Sequence, residues 1–538
     1  MRPRGRGEYD SLYFDYPHFD PPTGARRGTL TDHVQVAIVG AGPVGLTAAL
    51  TLAKYGVACV LLEKNATFND GSRAICVARQ SFHILESLNA VQPFVDKALG
   101  WTMGRSFYRG HKILEFEMPD SANEKYRPMY NLEQQYIEQF LWQAADASPL
   151  IDIRWQSELT GVEDVDGGVE ISISDAAGGY TLTADWVLAA DGARSSVRTM
   201  RGLRLAGDNY EGRYVIADVQ MDHDYPTIRR ALFDPDCRRG GTVLVHRQPD
   251  NIWRIDYQLE DGEDPEKAVR EDVVRESVRK VLRDIEHKGD WELEWWSTYT
   301  ANTLALEDYR DGRIFFIGDS AHIVPIFGVR GLNNGIADGQ NIGWKLAWVI
   351  NGLAGEGLLD TYSPERRSAT LDVFANASKS TRFMTPPTRG WQILRDAALS
   401  LARSHPYAGA LANPRQMTPH TYADGPMTLA DEAGFDAGPV PGAVAVNVAM
   451  NDGFLSDRFG EGFTVLRFGE GGDLGDHVAP VTVVTLASNS LTGEIYGAAD
   501  GATYLIRPDM HIAARWKSAD ARTVAAAIKN ILFLKETS

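Results

Sequence analysis

The chain has 538 residues, 44% of them hydrophobic and 23% charged, a length that calls for two or three domains rather than one core. Its 54 lysines and arginines stand against 72 acids, and the net charge of -18 disfavours nucleic acid or an anionic membrane surface as the general partner, with a local basic patch left open. Three widely spaced cysteines (Cys59, Cys76, Cys237) leave no material for a disulfide framework or a zinc cluster, so no metal is expected and a reducing cytoplasm is the natural compartment.

In residues 1–33, Arg2, Arg4, Arg6, Arg26 and Arg27 are balanced by Glu8, Asp10, Asp15, Asp20 and Asp32, and the apolar core of a targeting peptide is missing. The segment reads either as an extended arm lying on the domain or on a partner subunit, or as a partly disordered tail. No later stretch reaches 18 uninterrupted apolar residues, so no membrane span is expected.

Val34–Val39 reads as a buried parallel strand, Gly40-Ala-Gly-Pro-Val-Gly45 follows, Leu46–Tyr55 has helix-forming composition, and Val57–Leu62 is a second strand. This is a complete βαβ unit with Glu63 standing 18 residues past the last glycine. Gly40 permits the tight turn, Gly42 lets the backbone approach a pyrophosphate, and Gly45 lets helix and strand pack closely. The helix N-terminus, with Pro43 and Val44 in its first turn, offers N–H groups and partial positive charge to a diphosphate. Glu63, with Lys64 beside it, is placed to meet ribose hydroxyls. Dinucleotide binding is the expectation, the competing reading being a purely structural glycine turn.

Ile151–Val197 is β-rich and leads into Asp191-Gly-Ala-Arg-Ser-Ser-Val-Arg198. Alternating segments from Tyr214 to Leu259 predict a sheet with one buried face, and Asp264-Pro265 opens a helix with Val274, Val278, Val281, Leu282 and Ile285 at helical spacing. Arg313–Ile317 is a buried strand running into Gly318-Asp319. Residues 362–411 are predicted helical, and 413–442, rich in Pro, Gly and Thr, form a linker. Strands at Phe463–Phe468, Val481–Leu486, Thr503–Ile506 and His511–Ala514 and a helix at about Asp520–Leu532 then make a compact α/β domain over residues 443–538.

Three glycine-acid elements, near 40, 191 and 318, each follow a predicted strand, which suggests one extended cofactor held at several points. On Gly40–Gly45 with Glu63, Ala190–Arg198 and Gly318–Gly335, the sequence over residues 34 to about 400 resembles the single-component FAD-dependent aromatic hydroxylases. That group includes p-hydroxybenzoate, phenol and 3-(3-hydroxyphenyl)propionate hydroxylases. The resemblance implies an α/β fold over residues 34–412: a Rossmann-like FAD domain interleaved with a mixed-sheet substrate domain at about 210–300. It also implies non-covalent FAD, NADPH or NADH as co-substrate, dioxygen, a small phenolic substrate, a flavin C4a-hydroperoxide and a homodimer.

By the same resemblance Asp319, after Gly318, binds the ribityl chain; Asp191, Gly192 and Arg194 serve FAD and the nicotinamide; and Arg73 approaches the diphosphate and the pyridine nucleotide. Gln134, opening a Q-x-x-x-E helix with Glu138, contacts the flavin side chain, Gln135 being the other register. These residue types suit the roles, since a carboxylate accepts from hydroxyls and a guanidinium donates to phosphate. The run Gly328–Asn334, with Gly331, Leu332 and Asn333, suits a backbone lying against the flavin's pyrimidine edge, while Asn333 or Asn334 could equally cap the helix that follows. His322 is read as structural rather than as a proton relay, and Pro325 as shaping the wall at the flavin's reactive edge.

The substrate pocket is less legible. His246, Arg247, Tyr257 and Arg213 are candidates to hold a phenolate or carboxylate, each against the reading of an ordinary sheet residue. The acid that phenol hydroxylases place after the arginine-bearing segment has no counterpart in Ala74–Ala78. Pro441–Ala443, Asp452–Leu455, Gly462–Leu466 and Ile506–Asp509 resemble the appended thioredoxin-like domain, which contains no cysteine here and so favours packing or dimerisation over thiol exchange. Two other functions compete: oxygenation or epoxidation of a polycyclic aromatic polyketide on the same fold, and a flavin-binding interaction protein without activity. The tryptophan motif of flavin halogenases has no match at Asn251–Asp256.

Overall fold

The computed structural model describes residues 1–22, 33–71, 73–260, 262–325, 328–412, 418–470, 474–475 and 477–534, without the side chains at 209–212, 301 and 378. Ser72, Ile326, Phe327 and the first residues of the expected linker, 413–417, lie outside it.

The expected βαβ unit is present as β1 (His33–Val39), α1 (Pro43–Lys54) and β2 (Cys59–Leu62). Short β3 (Cys76–Ala78) and α2 (Arg79–Ser87) follow, then β4 (Met103–Tyr108), α3 (Gln134–Asp146), β5 (Ile151–Arg154) and β6 (Gly178–Ala189). The middle of the chain supplies β7 (Ala206–Met221), β8 (Arg229–Phe233), β9 (Thr242–Arg247), β10 (Ile252–Gln258), α4 (Glu271–Asp284) and β11 (Trp291–Ala305). It returns through β12 (Ile314–Phe316) and β13 (His322–Ile323) to the long helices α5 (Gly331–Ile350), α6 (Tyr362–Met384) and α7 (Arg389–Ala402).

Strands β5, β2, β1, β6 and β12 lie side by side and parallel in that order. Being covered on both faces they are apolar along their length: all four residues of β2 and all three of β12 are buried. The second sheet runs β13, β11, β7, β10, β9, β8, β4, with a hairpin strand at His111–Glu117 on its edge. It is therefore wider than 210–300: the segment from Met103 to Glu117 joins it through a parallel pairing of β4 with β8.

One face of this second sheet packs on α4. Val215, Ala217, Val219, Val243, Val245, Trp253, Ile255 and Tyr257 share a cluster with Val274, Val278, Val281 and Leu282. The two-residue strand period consequently turns Asp218, His246, Arg254 and Asp256 to the opposite face. That face looks at the dinucleotide half: Arg254 donates to the Arg73 carbonyl at 3.3 Å, and a Cβ on Gly71 would lie 1.8 Å from the Trp295 ring.

The C-terminal strands β14 (Phe463–Phe468), β15 (Val481–Leu486), β16 (Thr503–Ile506) and β17 (Ile512–Trp516) are ordered β15, β14, β16, β17 and are followed by α8 (Ala521–Ile531). They are not a detached unit. Phe463 meets Trp348 of α5 edge-to-face at 5.7 Å, and buried Arg507 donates to Glu365 of α6.

Candidate functional site

The three glycine-acid elements meet at the carboxyl ends of neighbouring parallel strands. Val39 pairs with Ala189, and Ala189 with Phe316, so the turns at 40, 190 and 317 emerge side by side, where open α/β sheets bind ligands. Gly40 has φ +107°, and a Cβ on it would stand 2.5 Å from the Ala190 oxygen. A Cβ on Gly45 would stand 2.0 Å from the Gly40 oxygen, so this turn admits no side chain at either position. Gly42 differs: its φ of -72° suits any residue, and a Cβ there would meet nothing within 4 Å. The empty space beside Gly42, at the start of a helix that no side chain caps, is shaped for an outside group that comes up against the backbone.

Glu63 accepts from the Ala41 N–H at 2.9 Å and from the Asn65 backbone and amide at 3.0 and 2.7 Å, and burial raises its pKa. Both Asn65 bonds go to Oε1, so Oε2, which accepts only from Ala41, is the oxygen with a lone pair left for a ribose hydroxyl. Lys64 is exposed. Asp191 accepts from the Val197 N–H at 3.0 Å through one oxygen, while the other is buried without a partner. Gly192 has φ +75° and open space around it, and Arg194 is exposed. Arg198, which sequence reasoning passed over, ties the second motif to the third by donating to the Ser320 and Ala193 carbonyls at 2.8 and 2.7 Å.

Asp319 is solvent-accessible yet densely surrounded by protein, and it forms no ion pair among the described residues. Desolvation raises its pKa, opposed by the nearby His322, Arg73 and Arg198 side chains. Arg73 is exposed, on a segment organised by α3: Gln134 accepts from the Arg73 and Ala74 N–H groups at 3.3 and 3.2 Å and donates to Glu138 at 2.8 Å. Glu138 in turn accepts from the Asn69 backbone and amide at 2.9 and 2.8 Å. Gln135 instead donates to the Tyr16 hydroxyl at 2.8 Å.

Helix α5 begins at Gly331 with no side-chain cap, so the capping reading of Asn333 and Asn334 does not hold. Asn333 accepts from the Ala78 N–H and the Ser81 hydroxyl, both at 2.7 Å, and donates to the Cys76 and Val329 carbonyls, which locks β3 against the turn before α5. The Gly331 and Leu332 end of the helix is thereby left with its dipole open to an anionic ligand. Just ahead of it Val329 holds φ +54°, a strained conformation for a β-branched residue.

A glycine stripe that sequence reasoning missed sets the site's depth. Cβ atoms on Gly335, Gly339 and Gly343 of α5 would meet Val44 Cγ2 at 2.6 Å, the Val44 oxygen at 2.9 Å and Thr51 Cβ at 2.7 Å. Their four-residue spacing was the available signal, because it puts all three on one helix face.

His322 is fully buried, bonded to Asp338 at 2.6 Å, which also accepts from the Gly318 N–H at 3.0 Å and from Arg366 at 2.5 Å. Despite burial, Arg366 and His322 hold the Asp338 carboxyl below its usual range. His322 therefore braces the Gly318 turn through Asp338. Pro325 is buried just before the undescribed pair.

The pocket candidates separate by sheet face. Tyr257 belongs to the α4 side, beneath the Arg238 guanidinium at 5.0 Å, away from the dinucleotide half. Arg247 alternates to that side too, over Trp253 at 5.7 Å, and Arg213 is exposed at the bulged end of β7. His246 alone of the four faces the dinucleotide half, and there it joins a row nothing in the sequence had singled out. His246 pairs with Arg254 and Arg254 with Asp218, while the register of Arg230 with Val245 sets Arg229 beside His246.

Arg254 is satisfied, with two 2.8 Å bonds to Asp218. Arg229, His246 and Asp256 are each at most 5% exposed, and each keeps a polar atom without a partner: Nη1, Nδ1 and Oδ1. Burial lowers Arg229 to about 10, and it lowers His246, beside Arg229 and Arg254, to about 3. Burial raises Asp256 to about 7 against the pull of Arg254.

Residues 33–377 match the family model described as FAD binding domain. The chain belongs to that FAD-binding family. In this FAD-binding chain the open glycine turn, the accessible Asp319 and the uncapped start of α5 are the features that fit the cofactor. It is 27% identical over 363 residues to a 3-(3-hydroxy-phenyl)propionate/3-hydroxycinnamic acid hydroxylase of Mycolicibacterium smegmatis, covering 68% of this chain and 63% of the relative. A hydroxylase of the same name from Burkholderia cenocepacia is 30% identical over 70% of this chain and 68% of its own length.

Among solved structures, the flavin-dependent monooxygenase PieE in complex with FAD and substrate superposes with a TM-score of 0.77 at 22% identity, over 94% of this chain and 99% of its own. Aklavinone-11 hydroxylase with FAD and aklavinone gives 0.73 at 24% identity, over 94% and 100%. The FAD-binding chain thus has the α/β fold of flavin-dependent monooxygenases, and no helix among the described residues is long and apolar enough to cross a membrane.

Proposed function

We propose that the chain is an FAD-dependent monooxygenase that uses NADPH or NADH and dioxygen to hydroxylate a phenolic aromatic ring. The carrying observation is that the sheet surface lying against Gly71 and Arg73 of the dinucleotide half buries Arg229, His246 and Asp256 with unmet hydrogen-bonding atoms. Buried polar groups in such a state call for a polar ligand. The curated relatives, named for hydroxylation of 3-(3-hydroxy-phenyl)propionate, support an aryl substrate of that kind.

When bound, FAD supplies the two-electron exchange between a nicotinamide and dioxygen. The chain's own residues bind, orient and exclude water. Asp319 accepts from ribityl hydroxyls, Arg73 donates to phosphate, and the uncapped end of α5 favours negative charge beside it. On the substrate side Arg229 donates to an anionic or carbonyl oxygen, Asp256 accepts a phenol's hydrogen bond, and His246 stays neutral at working pH. Pro325 and the apolar cluster of Ile75, Cys76, Ala78, Trp101 and Met129 keep water from the ring.

The purified protein should be yellow, and an aromatic panel should find a phenol that stimulates NAD(P)H oxidation with hydroxylated product in proportion. A protein that neither retains nor takes up FAD, or that returns only peroxide with every aromatic, overturns the proposal. A second reading, oxygenation or epoxidation of a polycyclic aromatic polyketide, is favoured by the near-complete match to aklavinone-11 hydroxylase with its aklavinone. Polycyclic quinones in the same panel separate the two.

The order β15, β14, β16, β17, with β14 and β15 parallel and β16 antiparallel, supports a thioredoxin-like reading of residues 443–538, set off from residues 34–412 by the 413–442 stretch. We assign that cysteine-free tail to packing or to a homodimer contact, and the protein, with Cys59 and Cys76 buried as free thiols, to the cytoplasm.

A further inference from the structure

The first 22 residues lie along the chain's own surface. Phe14 and Phe19 enter an aromatic cluster with Phe68, Trp142 and Trp155, Phe19 stacking on Trp155 at 4.1 Å, and the Phe19 N–H donates to the Ala66 carbonyl at 2.8 Å. The arm's polar contacts converge on two places. One is Glu294 of β11, which is buried and receives Arg2, Arg6 at 2.7 Å, the Ser11 hydroxyl at 2.6 Å and the Leu12 N–H at 3.0 Å. The other is the segment just before Arg73: Arg2 donates to Asp70 at 2.7 and 3.1 Å, and the Tyr16 hydroxyl accepts from the Gly71 N–H at 3.4 Å.

Arg2 is therefore shared between the two halves that enclose the site. Its side chain is 2% exposed, and Asp70 has no other ion-pair partner among the described residues. The same segment is already gripped from the other side by Gln134 and Glu138 of α3. Gly71 has φ +75° and no room for a side chain against Trp295, so the chain is fixed at Gly71 on one side as Gln134 fixes it at Arg73 on the other. An ion pair whose arginine is buried contributes geometry more than net stability, which is what a positioning device requires.

We propose that the arm is a positioning element of the cofactor site: Arg2, by joining Asp70 to Glu294, holds the segment that carries Arg73 against the substrate-side sheet and so sets where the Arg73 guanidinium stands. The proposal rests on the reading of Arg73 as a donor to cofactor phosphate. Arg2 touches no reacting group and acts through Arg73. Loss of Arg2 leaves Glu294 with Arg6, Ser11 and Leu12, so the sheet keeps its partners while Asp70 is released.

The test is a double-mutant cycle on the full-length holoprotein with Arg2→Ala, Arg2→Lys, Asp70→Asn and Arg73→Ala, and with Phe19→Ala as an arm variant remote from the segment. Flavin fluorescence gives the dissociation constant of FAD. Anaerobic stopped-flow reduction with NADPH and with NADH gives half-saturation and limiting rate separately. Arg2→Ala and Asp70→Asn should each move the constant that Arg73→Ala moves, in the same direction and by about tenfold, because a displacement near 1 Å is costly at a positioned group.

Arg2→Ala combined with Arg73→Ala should be no worse than Arg73→Ala alone, Arg2→Lys should recover part of the loss, and Phe19→Ala should lower the melting temperature without that kinetic signature. Additive effects, or an Arg2→Ala and an Asp70→Asn both like wild type while Arg73→Ala is impaired, overturn the arm's role. An Arg73→Ala that leaves every constant unchanged instead removes the phosphate reading on which the proposal rests. Asp70→Asn breaks the link at a partly exposed residue, so the cycle stands even if Arg2→Ala folds poorly.

Discussion

Gly42 and Gly45 stand in the same turn, yet alanine should harm them for opposite reasons. A Cβ on Gly45 falls 2.0 Å from the Gly40 oxygen and 3.2 Å from Ala190 Cβ, and Gly40 cannot retreat because its own Cβ position is 2.5 Å from the Ala190 oxygen. Overpacking of this kind costs about 1–3 kcal/mol or more, so Gly45→Ala should lower the stability of the flavin-free protein as well as the holoprotein. A Cβ on Gly42 meets nothing within 4 Å, and φ -72° suits alanine. Gly42→Ala should leave the flavin-free protein as stable as wild type, or more stable by roughly 0.4–1 kcal/mol from reduced freedom of the unfolded chain.

The methyl group stands instead where a diphosphate must approach the start of α1. Loss of two N–H bonds to a charged phosphate, at about 1.5–3 kcal/mol each, amounts to about 3–6 kcal/mol. FAD affinity should therefore fall by about 10² to 10⁴. Thermal melts of both flavin-free variants, with FAD titration followed by fluorescence, measure the two effects separately. A Gly42→Ala protein that binds FAD like wild type, or that melts several degrees lower without flavin, refutes the assignment of that space to the cofactor.

Tyr257 lies on the α4 face, so Tyr257→Phe should leave aromatic-stimulated NAD(P)H oxidation unchanged; a clear loss would return it to the pocket. Asp338→Asn strips a buried carboxylate from Arg366, His322 and the Gly318 turn, and should cost about 3–5 kcal/mol in urea unfolding, with less than about 1 kcal/mol contradicting its bracing role. Burial raises Glu138 from 4.5 to about 7, against the hydrogen bonds from Asn69 and Gln134. The folded state then binds the proton more tightly than the unfolded chain, so this residue's contribution is largest below pH 4.5 and declines by roughly 3 kcal/mol as pH rises to about 7. Glu138→Gln should flatten that part of the stability–pH curve; an unaltered slope would show that Glu138 titrates normally.

The dinucleotide half was legible because its constraints are local. A strand, a glycine turn and a helix must be contiguous to present N–H groups to a phosphate, so Gly40, Gly42, Gly45 and Glu63 carry their geometry in their spacing. Asp191 and Asp319 were equally readable as acids closing parallel strands, and the alternation in Trp253–Gln258 correctly announced a sheet. What that alternation could not say is that both faces are covered. Only tertiary structure turns Tyr257 toward α4 and Arg254 and Asp256 toward the dinucleotide half, and only sheet register sets Arg229 beside His246, since those residues come from separate strands.

The same holds for Asn333, whose four bonds run to β3, to α2 and to the turn before α5 rather than to its own helix end, and for the stripe Gly335, Gly339 and Gly343, whose need for glycine is set by Val44 and Thr51 nearly three hundred residues earlier. Length, composition and charge bounded the number of domains and the partners. Where the arm goes was decided by a buried carboxylate, Glu294, that is satisfied only when the chain's first residues fold back to meet it. Contacts between residues close in sequence are set by local backbone geometry, whereas these pairings depend on how the sheets and helices pack, which no single segment encodes.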